Sequence, residues 1–242
     1  MTYWAMLADI HGNRRALEAV IADASKHRIE RWINLGDCFF GPLDPAGTAE
    51  LLRPLEAVTV LGNQDRDLLA DNLDPRARAV VAALQPKDLA WLAKLPATTT
   101  VEDWFLCHGT PRSDLEPLLE MVTAAGSGDR PDEQVEALLD AVAAPYVACG
   151  HTHVHSHRHL PSRRQVLNPG SVGLPAYTDD SPHPHAMESG TPHARYALLE
   201  RRPGGGWRIE PRKVTYDWEG AARQAERGGR PDWARWLRTG LG

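Results

Sequence analysis

Apolar residues run without a break from residue 3 to residue 8, and the run stops at Asp9-Ile10-His11-Gly12-Asn13. Beyond that turn Leu17, Val20, Ile21 and Ala24 fall on one face of a helical period. A second strand-like segment, residues 31–35, stops at Gly36-Asp37. Residues 46–52 read as a helix, and residues 55–61 as a third strand that stops at Gly62-Asn63. Strands and helices in alternation predict a parallel sheet with right-handed crossovers.

The pattern shifts after residue 75. Residues 75–84 and 87–95 have helical character, with Pro86 between them. Residues 98–101 and 104–107 read as strands, the second ending at His108-Gly109. Residues 126–131, rich in Gly, Ser and Asp, read as a loop. A helix is predicted over 132–142, then a strand over 146–149 that ends at Gly150-His151. Strand-like segments follow at 154–160, 164–167, 195–201 and 207–214, and helices at 218–227 and 232–237. Residues 177–193 hold three prolines and three histidines with neither period, so they read as an irregular loop insertion. The whole chain, 1–242, is expected to form a single domain, with residues 216–242 as a C-terminal helical segment.

Five of the predicted strands end alike, at short Gly-containing turns bearing Asp, Asn or His. They are Asp9-Ile10-His11-Gly12, Gly36-Asp37, Gly62-Asn63-Gln64-Asp65, His108-Gly109 and Gly150-His151-Thr152-His153. Ligands of open α/β sheets bind just outside the carboxyl ends of the strands, so these side chains should converge on one rim. Asp, His and Asn together suit a mid-row divalent ion: manganese, iron, zinc or nickel. Seven candidates are too many ligands for one ion and enough for two. Two ions about 3.5–4 Å apart would hold a bridging hydroxide, the nucleophile, and neutralise charge on a phosphoryl group. No GxSxG elbow and no GxxxxGK[ST] loop competes with this reading.

Composition narrows the field. A net charge of −5 argues against a general nucleic-acid binder. No apolar run approaches the roughly 20 residues needed to cross a membrane, and residues 1–10 lack the basic start of a signal peptide. Cys38, Cys107 and Cys149 have no metal or CxxC spacing and read as buried thiols in a reducing compartment, so a cytoplasmic location is expected. No coiled-coil pattern indicates an oligomeric state.

Asp-x-His, Gly-Asp, Gly-Asn-x-Asp, His-Gly and Gly-His-Thr-His, in this order, resemble the calcineurin-like metallophosphoesterase superfamily. The likeness is to its small bacterial and archaeal phosphodiesterase-type branch. It extends to Cys107-His108-Gly109-Thr110-Pro111, Asn168-Pro169-Gly170-Ser171-Val172-Gly173 and Arg195-Tyr196-Ala197-Leu198-Leu199. The resemblance implies a four-layer α-β-β-α sandwich of two facing mixed sheets flanked by helices. It implies that Asp9, His11 and His153 bind a first metal, that Asn63, His108 and His151 bind a second, and that Asp37 bridges them. Two divalent ions, manganese foremost, are the implied cofactors, and a small-molecule phosphate ester the implied substrate. Asp37, Asn63, Gln64 and Asp65 are the catalytic candidates, and residues 168–171 would form a turn that helps to seat His151 and His153. Phosphodiester hydrolysis is the leading expectation. The alternatives are a phosphomonoesterase, a dinucleoside polyphosphate hydrolase, or a protein-binding scaffold of the same fold, the last disfavoured because all seven ligand positions hold competent residues.

Two departures from the family pattern bear on the chemistry. Many members carry His where this chain has Gln64; glutamine donates a hydrogen bond but supplies no proton. Phosphatases of the superfamily place an Arg after Gly-Asp, whereas Gly36-Asp37 is followed by Cys38-Phe39-Phe40. His183, His185 or His193 of the inserted segment could supply the missing acid. His155, His157 and His159 are expected on a solvated strand face, and Trp218, Trp233 and Trp236 are expected to dock the terminal helices.

Overall fold

A computed structural model describes residues 3–242. The first half runs β1 (Tyr3–Leu7), α1 (Arg14–Ala24), β2 (Ile29–Asn34), α2 (Pro45–Leu52), a 3-10 turn (Arg53–Leu55), β3 (Val58–Thr59), α3 (Asn63–Asp67), α4 (Pro75–Ala83) and α5 (Pro86–Leu92). Next come β4 (Thr98–Val101), β5 (Trp104–Cys107), β6 (Glu120–Thr123), β7 (Gly126–Asp129), α6 (Asp132–Leu138) and β8 (Tyr146–Ala148). The chain ends with β9 (Ser156–His159), β10 (Gln165–Asn168), β11 (Ala176–Asp179), β12 (His185–Glu188), β13 (Ala194–Arg201), β14 (Trp207–Val214), α7 (Trp218–Arg227) and α8 (Pro231–Thr239). Local chemistry starts most of these helices. Asn13, Asp44, Asp74 and Asp217 accept hydrogen bonds from the first-turn amides of α1, α2, α4 and α7. Proline opens α2, α4, α5 and α8, where its missing N–H costs nothing.

Two five-stranded mixed sheets form, in the orders β14-β13-β1-β2-β3 and β4-β5-β8-β10-β9. In the first, parallel β1-β2-β3 reach one edge and antiparallel β13 and β14 form the other; in the second, parallel β5-β8-β10 lie between antiparallel β4 and β9. Period-two alternation buries both faces. From β1, Trp4, Met6 and Ala8 point toward the other sheet and meet Trp104, Leu106 and Ala148, while Ala5 and Leu7 pack under α1 with Leu17 and Val20. A third cluster, with Val135, Val147 and Val166, seats α6 on the outer face of the second sheet. The result is the expected four layers. Burial of both faces explains why β1 reads as an unbroken apolar run rather than an alternating one.

Several segments differ from expectation. Residues 177–193 are not an irregular loop: β11 and β12 pair antiparallel from Ala176↔Glu188 to Asp179↔His185. Residues 126–131 likewise contain β7, which pairs with β6. Both hairpins are made by cross-strand hydrogen bonds, for which polar Gly-, Ser- and Pro-rich composition carries no signal. The third strand shrinks to β3, because the 3-10 turn takes Leu55. α6 stops at Leu138, short of residue 142. Cys38, Cys107 and Cys149 are buried and unpaired as expected, and no helix among the described residues is long and apolar enough to cross a membrane.

One buried ionic cluster ties the outer helical layer to the first sheet. Asp23 on α1 accepts from Tyr196 Oη at 2.9 Å, from Arg212 Nη2 at 3.0 Å and from Lys26 Nζ at 2.9 Å. Burial alone would raise this carboxyl, but the hydrogen bonds from Lys26, Tyr196 and Arg212 outweigh it and hold its pKa below the ordinary value. Asp23→Ala should cost about 1–3 kcal/mol at pH 7, read from urea unfolding. A carboxyl depressed on folding adds stability above its unfolded pKa of about 3.9 and loses it as pH falls through the lower folded value. The gap between wild type and variant should therefore shrink below about pH 4; a pH-independent gap would contradict the ion-pair account.

Candidate metal centre

The rim at the carboxyl ends of β1, β2, β3, β5 and β8 carries all seven predicted ligands. Five of them, Asp9, His11, Asp37, His151 and His153, have φ between 51° and 71°. Side chains other than glycine seldom occupy this left-handed region, and each such residue stores strain that the surroundings must hold. Here the loops hold one another. Asp9 N donates to Gly36 O and His11 N to Asp37 O, both at 3.0 Å. Ser171 Oγ donates to Asp9 O at 2.7 Å. Asn168 Nδ2 donates to Gly150 O at 2.9 Å and to Thr152 Oγ1 at 3.0 Å, so the 168–171 turn flanks His151 on both sides as expected. Gly62 packs so closely on Asp37 that a β-carbon there would strike its carboxylate and backbone amide.

Two groups of lone pairs converge in this frame. His11 Nδ1 donates to Phe40 O at 3.1 Å, which leaves Nε2 facing His153 Nε2 at 2.9 Å. Asp9 Oδ1 lies 3.6 Å from the same His153 nitrogen. In the second group His108 Nδ1 donates to Leu35 O at 2.7 Å, and its Nε2 lies 3.0 Å from Asn63 Oδ1 and 3.5 Å from Asp37 Oδ2. His151 Nε2 donates to Leu115 O at 3.0 Å, which turns Nδ1 toward the same Asn63 oxygen at 3.2 Å. Asp9 belongs to both clusters of mutually close ligand atoms, with His11 and His153 in one and with Asp37 and His108 in the other.

The electrostatics follow from burying so many acceptors together. Neutral imidazoles whose other nitrogen already donates to a carbonyl have only lone pairs to offer Asn63 and the carboxylates. Such a cluster of acceptors favours a cation, and the carboxylates draw a proton to it in the bare protein. Burial alone would lower His108, but the Asp37 carboxylate outweighs it and raises the ring to about 10. Burial would raise Asp37, but His108 overrides it and holds Asp37 well below the carboxylate range. Burial, with Asp37 nearby, pushes Asp9 up to about 8. Burial, with the His108 charge, brings His151 down to about 4, and burial lowers His11 and His153 as well. Nitrogen and oxygen donors aimed at shared points, with His11, His108 and His151 each held by an outer hydrogen bond to a carbonyl, fit divalent ions.

A cavity of about 190 Å³ opens on this centre. His11, Asp37, Asn63, Gln64, His151 and His153 line it, whereas Asp9 and His108 lie buried behind. Asp65 does not reach it. Its carboxylate is fully buried and accepts from Cys38 N at 2.9 Å, so it braces the turn after Asp37 and touches no substrate space. Nor do the inserted histidines line it: His183 is exposed, His185 Nδ1 bonds to His183 O, and His193 packs on the Trp218 ring. The hairpin reaches the cavity through Tyr177, whose ring lies 4.8 Å from that of His153. His157 and His159 are exposed on β9 as expected, and His155 is half-buried just before it.

Sequence reasoning also missed further lining residues, Arg76, Arg230, Trp233 and Trp236 among them. Trp233 and Trp236 do dock α8 as predicted, but the Trp233 ring also lies 5.8 Å from His11, edge to face. A lone Arg or a helical Trp pair carries no sign in the sequence of which cavity it faces.

The comparisons agree with this geometry. A family model of the calcineurin-like phosphoesterase superfamily domain matches residues 3–187. An uncharacterized protein of Methanocaldococcus jannaschii is 23% identical over 257 aligned positions, which cover 95% of this chain and 94% of that protein. A metallophosphoesterase of Sphaerobacter thermophilus superposes with a TM-score of 0.75 at 25% identity, over 97% of this chain and 98% of that one. With three-quarters of the chain matched, the layers in place and the strand-end residues gathered at one cavity, this chain belongs to the calcineurin-like phosphoesterase superfamily.

Proposed function

We propose that this protein is a dinuclear metal-dependent phosphodiesterase acting on a small phosphate ester. The observation that carries the reading is the pair of lone-pair clusters around Asp9, Asp37 and Asn63. Asp9, His11 and His153 would hold one ion, and Asn63, His108 and His151 the other, with Asp37 between them. Two divalent ions, manganese foremost among those these donors suit, would supply an activated water and neutralise phosphoryl charge when bound.

The chain's own groups define the rest. Leu35, Phe40 and Leu115 carbonyls fix which imidazole nitrogen faces inward. Gln64 lines the cavity and can donate an N–H to a phosphoryl oxygen, but it holds no proton for a departing alcohol. The reaction therefore favours esters whose leaving group departs as a stable anion. Tyr177, Phe40 and Trp233 narrow the mouth, which supports a small molecule rather than a phosphoprotein. The buried, unpaired thiols support a reducing, cytoplasmic setting.

The test compares bis-p-nitrophenyl phosphate with p-nitrophenyl phosphate, on protein stripped of metal and then refilled with manganese. Metal-dependent turnover that favours the diester is expected; turnover of the monoester alone would overturn the diester reading. Asp37→Asn should lower kcat by more than the roughly 10–100-fold that loss of an outer partner of a metal ligand costs. His108→Ala should bind about one ion per chain where wild type binds two, by metal analysis after dialysis; two retained ions would contradict its place as a ligand. Because His108 is protonated up to about pH 10 in the bare protein, loading at pH 7 must expel that proton. Metal affinity should therefore rise with pH, and titration calorimetry in buffers of differing ionisation enthalpy should show at least about one proton released.

A further inference from the structure

A second cavity, of about 450 Å³, adjoins the metal centre and shares Phe40, Arg76 and Arg230 with it. The rest of its lining is mostly apolar, from Pro42, Leu43 and Pro45 on one side and Ala79, Val80 and Ala83 of α4 on the other. The two spaces differ in what they can hold. At about 190 Å³ the metal cavity is smaller than the roughly 300–1,000 Å³ of ordinary small-molecule sites, so it has room for a phosphoryl group and little more. The adjoining groove falls within that range.

The two arginines at the junction are not equivalent. Arg230 Nε donates to Asp232 Oδ1 at 2.9 Å, and its guanidinium stacks over Trp233 with 5.3 Å to the ring centroid. Its charge is spent within the protein, and it serves as a rigid wall. Arg76 is the second residue of α4, anchored through its backbone N–H to the Asp74 cap at 2.6 Å. Among the described residues no carboxylate or aromatic ring partners its guanidinium, which stands exposed where the two cavities meet. A guanidinium offers five donors in a planar fork suited to phosphoryl oxygens. It comes from α4, not from the turn after Gly36-Asp37 where the superfamily's phosphatases carry their arginine.

We infer that Arg76 is a specificity residue that grips a non-bridging phosphoryl oxygen of the substrate, and that the apolar groove beyond it holds one ester substituent of aryl size. The substrate class is thus a phosphate ester with one bulky apolar arm. The groove has no polar side chain besides the two arginines with which to read a nucleobase edge, so an apolar group fits it better than a base. This inference rests on the metal cavity being a phosphoryl site, as proposed above. It gives the Gln64 site a reason to work without an acid: an aryl oxygen leaves without a proton.

Equilibrium binding separates this claim from catalysis. Manganese-loaded wild type is titrated calorimetrically with phenylphosphonate and with methylphosphonate, neither of which has an ester bond to break. Phenylphosphonate should bind about tenfold tighter, the gain from burying an aryl group in an apolar groove. Ala79→Trp, at an exposed helix position that tolerates bulk, should fill the groove and bring the ratio of the two Kd values near one. Arg76→Ala should weaken both ligands about tenfold and Arg76→Lys by less, since lysine keeps charge but not the fork. Arg78→Ala, which removes the same charge from an exposed position of α4 outside both cavities, controls for net charge and should change neither Kd. Equal binding of the two phosphonates by wild type, or an Arg76→Ala protein indistinguishable from Arg78→Ala, would overturn the inference. Selective phosphonate binding by a wild type that hydrolyses no ester would uphold the groove while refuting the proposed catalysis.

Discussion

Everything at the centre depends on a backbone that bends the wrong way at five candidate ligand positions. Asp9, His11, Asp37, His151 and His153 all sit at positive φ. Such residues persist only where neighbours over-determine them. The loops that carry them are hydrogen-bonded to one another rather than to solvent: the Asp9 and His11 amides to the Asp37 loop, Ser171 to Asp9, Asn168 to the Gly150-His151-Thr152 turn. Strain at one strand end is held by the next. The two sheets beneath, buried on both faces, supply the stiffness this demands.

That geometry concentrates acceptors beyond what protein hydrogen bonds can satisfy. The inward nitrogens of His11, His108 and His151 are each chosen by a carbonyl on the ring's far side, and the choice leaves lone pairs facing one another around Asn63 and between His11 and His153. The Asp37 carboxylate favours a proton on His108 in the bare protein, and metal would relieve both clusters. The same crowding that raises Asp9 and lowers His151 therefore prepares the centre for divalent ions. Asp65, fully buried beneath Cys38, contributes by holding the Asp37 turn in its conformation.

Chain segments far from the motifs shape what can reach the centre. The β11–β12 hairpin sets Tyr177 against His153, and α8 brings Trp233 against His11. α4 and the α7–α8 connection meet at Arg76 and Arg230, on the border of the apolar groove. In the proposed function, metal binding and substrate selection fall to different parts of the chain: strand ends for the first, the inserted hairpin and helices for the second.

Much of this was legible in the residues. Apolar runs stopped by Gly-Asp, Gly-Asn and Gly-His marked the strand ends, because a chain leaving a buried strand must turn, and the Asp, Asn and His side chains there suit metals. The layers followed from the alternation of strand and helix. The hairpins at β6–β7 and β11–β12 were not legible, since cross-strand pairing of polar segments leaves no period within either strand. Nor could the sequence distinguish Asp65, which braces a turn, from Asp37, which faces the cavity. It could not show that Arg76 of α4 converges with Arg230 and Trp233 at the start of α8 either. Strand-end chemistry is local and shows in short motifs, whereas the shape of a cavity depends on contacts between residues as distant in sequence as His11 and Trp233, which only the folded chain brings together.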